Sequence, residues 1–341
     1  MLRVQLERLM ARRDLSHDEM TGAMEALMEG RAPEAQVAAF LTGLRAKGET
    51  VEEIVAAASV MRDKAQAVHV AARPLLDVVG TGGDGTGTFN ISTLSAFVAA
   101  AGGVAVAKHG NRSVSSRCGS ADVLEALGCP LLEEGSAVEE AVATVGFGFL
   151  FAPHFHRAMK NVAPVRKALG IRTIFNVLGP LTNPARPDRM VLGVFSPELV
   201  RPIAETLRHM GLRKALVVCG AGGADELTLE GANRVCLLDG DSLEERNLFP
   251  EEAGLAPRPL DAARGGDAEA NAALALEIFA GRGGASRDFV LLNAGAALFV
   301  ADRAASLKEG VVLAAEIIDD GRAAAKLEQV RSRTMTREGV A

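Results

Sequence analysis

Leu75-Leu-Asp-Val-Val79 leads into Gly80-Thr-Gly-Gly-Asp-Gly-Thr-Gly-Thr-Phe-Asn-Ile-Ser-Thr93, and that stretch leads into Leu94-Ser-Ala-Phe-Val-Ala-Ala-Ala101. The first run is short and apolar and predicts a buried strand; the last predicts a helix. Between them lies a loop with five glycines. Glycine lets backbone N–H groups turn toward an anion and approach it closely, and a helix start adds unpaired donors with partial positive charge. Asn90, Ser92 and Thr93 add side-chain donors and oxygens suited to phosphate or metal. The stretch reads as a cradle for a phosphorylated ligand. No Lys-Ser or Lys-Thr follows the glycines, so it is not an NTPase P-loop. Gly80, Gly82 and Gly85 spell G-x-G-x-x-G, but Asp84 and the long Gly-Thr run do not suit a dinucleotide turn. The alternative is a flexible surface loop, against which stands its position between a clear strand and a clear helix.

Outward from this unit the alternation continues. Strands are predicted at Leu75–Val79, Val104–Ala107, Phe147–Phe151, Val191–Phe195 and Ala215–Cys219, with helices over 91–101, 120–128, 136–145 and 197–210. Ser136-Ala-Val-Glu139 reads as a capping box for the third of these helices. Such alternation argues for a mostly parallel sheet covered by helices. Leu227–Leu229 and Arg234–Leu238 are expected to form a hairpin, and helices follow over roughly 267–280, 286–301, 306–318 and 322–332. The tail after Arg333 is expected to be loose. Upstream, the first seventy residues show helical patterning only. Leu2 to Arg12 is one amphipathic run, and Ser16-His-Asp-Glu19 is a capping box. Pro33 opens a helix reaching Lys47, and a second box, Thr50-Val-Glu-Glu53, opens one reaching about Ala67. These four helices are expected to pack as a small bundle. The predicted fold class is therefore α/β: a small N-terminal helical domain plus a large α/β domain with a mostly parallel sheet.

Composition removes several function classes. A net charge of −6 without a basic stripe argues against nucleic-acid binding, and the absence of Trp and Tyr removes the usual base-stacking platforms. No apolar run reaches membrane-spanning length, and Met1-Leu-Arg-Val-Gln-Leu-Glu lacks a signal-peptide core. Cys118, Cys129, Cys219 and Cys236 show no CxxC spacing and read as reduced thiols of a cytoplasmic protein.

Other constellations gather at strand ends. Lys108-His-Gly-Asn-Arg-Ser-Val-Ser-Ser116 follows the second strand with two cations, an imidazole, an amide and three hydroxyls. Loops at the carboxyl ends of parallel strands line the ligand crevice, so this segment is expected to face the glycine loop and neutralise phosphate. Ser120 opens the next helix as a candidate phosphate-binding cap. Asp225-Glu226 follows the strand Ala215–Cys219 and a Gly-rich link. An exposed acidic pair is common by itself; near two phosphate loops it reads as a holder of hard cations. Arg166, in Pro164-Val-Arg166, has the fork geometry to bind a carboxylate, although spacing alone favours a helix-surface arginine.

Taken together, Gly80-Thr-Gly-Gly-Asp84, Asn90-Ile-Ser-Thr93, Lys108-His-Gly-Asn-Arg112 with Ser115-Ser116, Pro164-Val-Arg166, Asn176-Val-Leu-Gly-Pro180 and Asp225-Glu226 strongly resemble the anthranilate phosphoribosyltransferase family, in order, over about residues 5 to 332. This is a class of phosphoribosyltransferase related to the pyrimidine nucleoside phosphorylases. The resemblance implies transfer of the 5-phosphoribosyl group from phosphoribosyl pyrophosphate (PRPP) to the amine of anthranilate, the second step of tryptophan biosynthesis. It also implies Mg2+ and a homodimer through the N-terminal helices. It implies that residues around 160–182 return to the small domain of residues 1–70, leaving 71–159 and 183–341 as the large domain. Carried over by position, PRPP would be bound by Gly80, Gly83, Asp84, Thr88, Asn90, Ile91, Ser92, Thr93, Lys108, His109, Gly110, Asn111, Arg112, Ser113, Val114, Ser115, Ser116 and Ser120. Ser92, Asp225 and Glu226 would bind the metal, and Gly80, Asn111 and Arg166 would touch anthranilate. No acid or base is assigned. One departure is local: Cys219-Gly220 and Gly223-Ala224 stand where the family commonly has His-Gly and a Gly-Leu or similar pair.

Two rival readings are weaker. A pyrimidine nucleoside phosphorylase would carry Lys-His-Ser and a second Gly-rich run in place of Lys108-His-Gly-Asn-Arg112. A non-catalytic nucleic-acid-binding relative would be basic and would have lost the acidic pair and Arg166, all of which are intact here.

Overall fold

The computed structural model describes residues 1–113 and 117–332. Val114, Ser115, Ser116 and the tail after Arg333, about which the sequence makes predictions, lie outside the described residues. The chain opens with helices α1 (Arg3–Met10), α2 (His17–Met28), α3 (Glu34–Lys47) and α4 (Val51–Asp63). Both predicted capping boxes form: Ser16 and Thr50 accept from the N–H groups of Glu19 and Glu53, whose carboxylates reach back. Pro33 is the cap residue of α3 and lies just outside its first turn, and α4 ends at Asp63, short of the expected Ala67.

The rest builds one seven-stranded sheet. Strand β1 (Leu75–Gly80) is followed by α5 (Ile91–Ala101), β2 (Ala105–Gly110), α6 (Ser120–Ala126), α7 (Gly135–Val145) and β3 (Phe147–Phe151). Helices α8 (Ala152–Phe155), α9 (Ala163–Leu169) and α10 (Phe175–Leu181) then lead to β4 (Arg189–Gly193), α11 (Val200–His209) and β5 (Lys214–Cys219). An antiparallel pair, β6 (Asn233–Asp239) and β7 (Ser242–Leu248), completes the sheet before α12 (Ala268–Phe279), α13 (Ala285–Val300), α14 (Leu307–Asp319) and α15 (Arg322–Ser332). The strand order is β3-β2-β1-β4-β5-β6-β7, parallel from β3 to β5 and antiparallel beyond. The chain builds outward from β1 in one direction and from β4 in the other, so the topological switch point lies between them.

Alternation along the strands divides the core. Leu76, Val78, Val106, Val191 and Leu216 face one side, where Phe97, Phe279, Phe289, Leu298 and Ile317 of the α5 and C-terminal helices cover them. Val79, Met190, Leu192 and Val217 face the other side and share a core with Met24, Phe40, Leu41 and Ile54 of the N-terminal helices. That second core also contains Val162, Val165, Ile174, Phe175, Leu178 and Leu181, and α9 packs against α3.

Three local expectations are corrected. The hairpin is β6–β7, and Leu227–Leu229 is a buried connection outside any strand. Helix α7 starts at Gly135 after Glu134, with no side-chain cap; Glu139 instead accepts the His69 N–H at 2.6 Å, a tertiary partner in place of the local one. Strand β2 runs on to Gly110, so Lys108, His109 and Gly110 are strand residues and not a loop.

Candidate active site

The crevice begins where β1 and β4 end. Gly80 and Gly193 are register partners across the switch point, and Asp225 lies directly over both. A Cβ at Gly193 would overlap the Asp225 main chain, and one at Gly80 would overlap its carboxylate. Glycine at these two positions is therefore what lets the acidic pair seat on the sheet end. Gly82 donates its N–H to Asp225 Oδ2 at 2.5 Å. Ser92 donates its N–H to Glu226 Oε1 at 3.0 Å, and the Thr88 hydroxyl reaches Glu226 Oε2 at 3.3 Å. The Asp225 N–H meets the Asp84 carboxylate at 3.4 Å. Residues separated by more than 130 positions thus meet at the start of α5, as the sequence reading of Gly80, Asp84, Thr88, Ser92, Asp225 and Glu226 requires.

Electrostatics mark the same spot. Burial, then the charge of Asp84, pushes the Asp225 carboxyl up to about 7. Burial and the neighbouring Asp225 hold Glu226 well above the ordinary carboxylate range. Two N–H donors do not offset this accumulation of negative charge, and such an oxygen set fits a hard divalent cation. Among the described residues no three His, Cys, Asp or Glu side chains close around one point. The remaining ligands of such a cation would come from water or from a bound diphosphate.

Lys108 supplies the opposite charge. Pleating sends its side chain toward α5, where Nζ donates to the Val78 carbonyl at 2.5 Å and to Ser92 Oγ at 3.3 Å. Burial lowers its pKa, while Asp77, Glu226 and Asp225 pull it back up. Asp77 is itself fully buried in β1, its carboxyl pushed up to about 6 by burial against the pull of Lys108. It accepts from the His109 N–H at 3.2 Å and from Asn183 Nδ2 at 2.8 Å.

His109 points the other way. The next residue along a strand faces the opposite side of the sheet, and the His109 ring packs 5.1 Å from that of His156. Burial pushes His109 down to about 3 and His156 to about 4, so both are neutral at pH 7. In each ring Nε2 is buried without a hydrogen-bond partner among the described residues.

Other predicted residues are placed differently from expectation. Arg112 is ion-paired to Asp122 at 2.8 Å and to Glu125 and leans over Phe151, so its charge is committed within the protein. The Asn90 side chain is used internally: it donates to the Cys118 carbonyl at 3.1 Å and accepts from Asn271 Nδ2 at 3.0 Å. Ile91 and Thr93 are buried in the first turn of α5, Ile91 as core. Gly119 and not Ser120 is the cap residue of α6, with the Asp122 carboxylate accepting the Gly119 N–H at 2.8 Å. Asn111 is exposed beyond β2, and Ser113 donates its N–H to Asp122 at 3.2 Å. In the segment that departs locally, Gly220 approaches the Glu226 carbonyl so closely that only glycine fits.

Arg166 is half-buried on α9, 5.1 Å from the Phe175 ring centroid, and burial lowers its pKa. Among the described residues it has no ion-pair partner. A half-buried guanidinium without a carboxylate suits an anionic ligand. Asp77, Asn183, His156 and Asn271 are not singled out by the sequence. Asp77 alone carries a signal, as an acid inside an apolar strand.

Comparison with known proteins agrees with this geometry. The family model described as "Glycosyl transferase family, a/b domain" matches residues 72–324, and "Glycosyl transferase family, helical bundle domain" matches residues 5–65. The crystal structure of anthranilate phosphoribosyltransferase from Thermus thermophilus superposes with a TM-score of 0.91 at 51% identity, covering 96% of this chain and 98% of that one. The Saccharomyces cerevisiae enzyme in complex with PRPP and Mg superposes with a TM-score of 0.89 at 30% identity, covering 98% of each chain. The anthranilate phosphoribosyltransferase of Geobacter sulfurreducens is 51% identical over 344 residues, covering 97% of this chain and 98% of its own.

Proposed function

Because this chain belongs to the anthranilate phosphoribosyltransferase family, we propose that it transfers the 5-phosphoribosyl group of PRPP to the amine of anthranilate, releasing pyrophosphate. The observation that carries this reading is the acidic pair Asp225-Glu226 seated on Gly80 and Gly193 at the switch point, facing the glycine loop and Lys108. PRPP is assigned to Gly80, Gly83, Asp84, Thr88, Asn90 to Thr93, Lys108 to Ser116 and Ser120. Anthranilate is assigned to Gly80, Asn111 and Arg166.

Displacement at the anomeric carbon breaks the bond to pyrophosphate and forms one to the anthranilate nitrogen. The leaving group carries away charge, so stabilising that charge and aligning the nucleophile supply the rate. Lys108, fixed by Val78 and Ser92, holds a cation beside the phosphates. The fork of Arg166 grips the anthranilate carboxylate and aims the amine. That amine is already a nucleophile; the proton it sheds as the new bond forms passes to water or to the released pyrophosphate, and no strong base is required. Ser92, Asp225 and Glu226 are the residues that would hold Mg2+, which when bound neutralises diphosphate oxygens.

The same reading divides the chain into a helical domain of 1–70 with 160–182, and an α/β domain of 71–159 with 183–341. Support comes from α9 and α10 sharing a core with the N-terminal helices. It makes the protein a cytoplasmic homodimer through those helices; Val4 and Met10 on α1 are 60% and 85% exposed. No described helix is long and apolar enough to cross a membrane.

The test is direct. The protein is mixed with anthranilate, PRPP and Mg2+, and loss of anthranilate fluorescence is followed. Unchanged fluorescence at every magnesium concentration would overturn the assignment.

A further inference from the structure

Arg172 stands in the turn between α9 and α10, six positions beyond Arg166, and its side chain leaves that segment altogether. Its guanidinium carbon lies 4.0 Å from the centroid of the Phe195 ring, just past the end of β4. One terminal nitrogen donates to the carbonyl oxygen of Gly83 in the glycine loop. The same loop is held one residue earlier by the Gly82 N–H on Asp225. Adjacent groups of the loop are therefore gripped from two sides, an N–H by a carboxylate and a carbonyl by a guanidinium. Gly82 and Gly83 have φ of +67° and +70°, a conformation that favours glycine.

In a trans peptide the carbonyl of one residue and the N–H of the next point in opposite directions. With the Gly83 carbonyl turned onto Arg172, the Asp84 N–H is turned away from it. Among the described residues that N–H donates to no protein acceptor. An oriented, unused N–H in a glycine loop is the kind of donor that binds phosphate oxygen.

We propose that Arg172 is a positioning residue for PRPP: stacked on Phe195, it holds the Gly83–Asp84 peptide with its N–H presented to the diphosphate. This rests on the function proposed above. It assigns two arginines of one short segment to different substrates, Arg166 to anthranilate and Arg172, indirectly, to PRPP. The flat guanidinium matters twice, because it must cover an aromatic face and donate at its edge.

The experiment uses the full chain with Mg2+. The KM for each substrate is measured separately, and the PRPP Kd is measured by calorimetry without anthranilate. Arg172→Ala is expected to raise the PRPP KM and Kd about tenfold and leave the anthranilate KM within about twofold at saturating PRPP. Arg172→Lys keeps a donor but not the stack and restores only part. Phe195→Leu shifts PRPP in the same direction by a smaller factor. PRPP affinity unchanged in both Arg172→Ala and Phe195→Leu, or a rise confined to anthranilate, overturns the proposal. Should Arg172→Ala melt well below the parent, Arg172→Lys and Phe195→Leu decide by the same split. If the parent chain binds PRPP but does not consume anthranilate, the proposed function fails while the calorimetry still decides the role of Arg172.

Discussion

Replacing the acidic pair, Asp225→Asn with Glu226→Gln, is expected to make the protein more stable and nearly inactive. In the folded chain the Asp225 carboxyl has a pKa of about 7 against an ordinary 3.8, because burial and Asp84 oppose its charge. A group raised in this way keeps a proton that the unfolded chain has already lost. Stability is therefore unaffected below pH 3.8, falls as pH rises through the interval to 7, and carries the full penalty above it. At about 1.4 kcal/mol per pH unit, the two raised carboxyls, which titrate as a pair, together carry a penalty on the order of a few kcal/mol at pH 8. Water at the crevice mouth lowers this, so a gain of about 1–3 kcal/mol, or a few degrees in melting temperature, is expected without metal. The amide that takes the place of the Asp225 carboxylate has nearly the same shape. Its oxygen can still accept the Gly82 N–H, so the fold is retained. The assay is thermal melting of parent and double variant at pH 5 and pH 8, each with and without Mg2+ and pyrophosphate, alongside turnover. The variant should gain most at pH 8 and should lose both the stabilisation by Mg2+ with pyrophosphate and most of its activity. A variant that melts no higher at pH 8 than at pH 5 relative to the parent, and that keeps the parent's magnesium dependence, would refute the reasoning.

Arg166→Ala should raise the anthranilate KM by roughly ten- to over a hundredfold, the equivalent of about 1.5–3 kcal/mol for a lost charge-assisted contact, with the PRPP KM little changed. Arg166→Lys should recover only part; steady-state kinetics varying each substrate checks both. Gly193→Ala should abolish activity and lower the melting temperature, because its methyl would overlap the Asp225 carbonyl and unseat the acidic pair; normal turnover in this variant would contradict the geometry of the crevice. Sedimentation at micromolar concentration should show a species of twice 35.5 kDa, with Val4→Glu and Met10→Glu together shifting it toward the monomer.

Local chemistry was legible wherever a signal and its partner lie close in the chain. The boxes at Ser16 and Thr50 need only residues three positions apart, and both form. The glycine loop between β1 and α5, the five parallel strands β1–β5 and the four C-terminal helices follow from patterning within single elements. The residues carrying the family resemblance include those that meet at the end of the sheet, since residue types and their order lie in the sequence itself. What the sequence could not reveal depended on partners far along the chain. Ser242-Leu-Glu-Glu-Arg-Asn-Leu248 has five polar residues in seven, and becomes an edge strand only because β6 offers it a ladder. Glu139 serves His69 instead of a helix cap, and the Asn90 side chain is tied to Cys118 and Asn271. Lys108 and His109 are neighbours in sequence, yet the pleat of a strand sends one toward Ser92 at the start of α5 and the other to a buried histidine pair. The bonds of Asp225 to Gly82 and of Arg172 to Gly83 span 143 and 89 residues. Contacts of that kind have no local periodicity to betray them; they exist only once the sheet has brought the ends of β1 and β4 together.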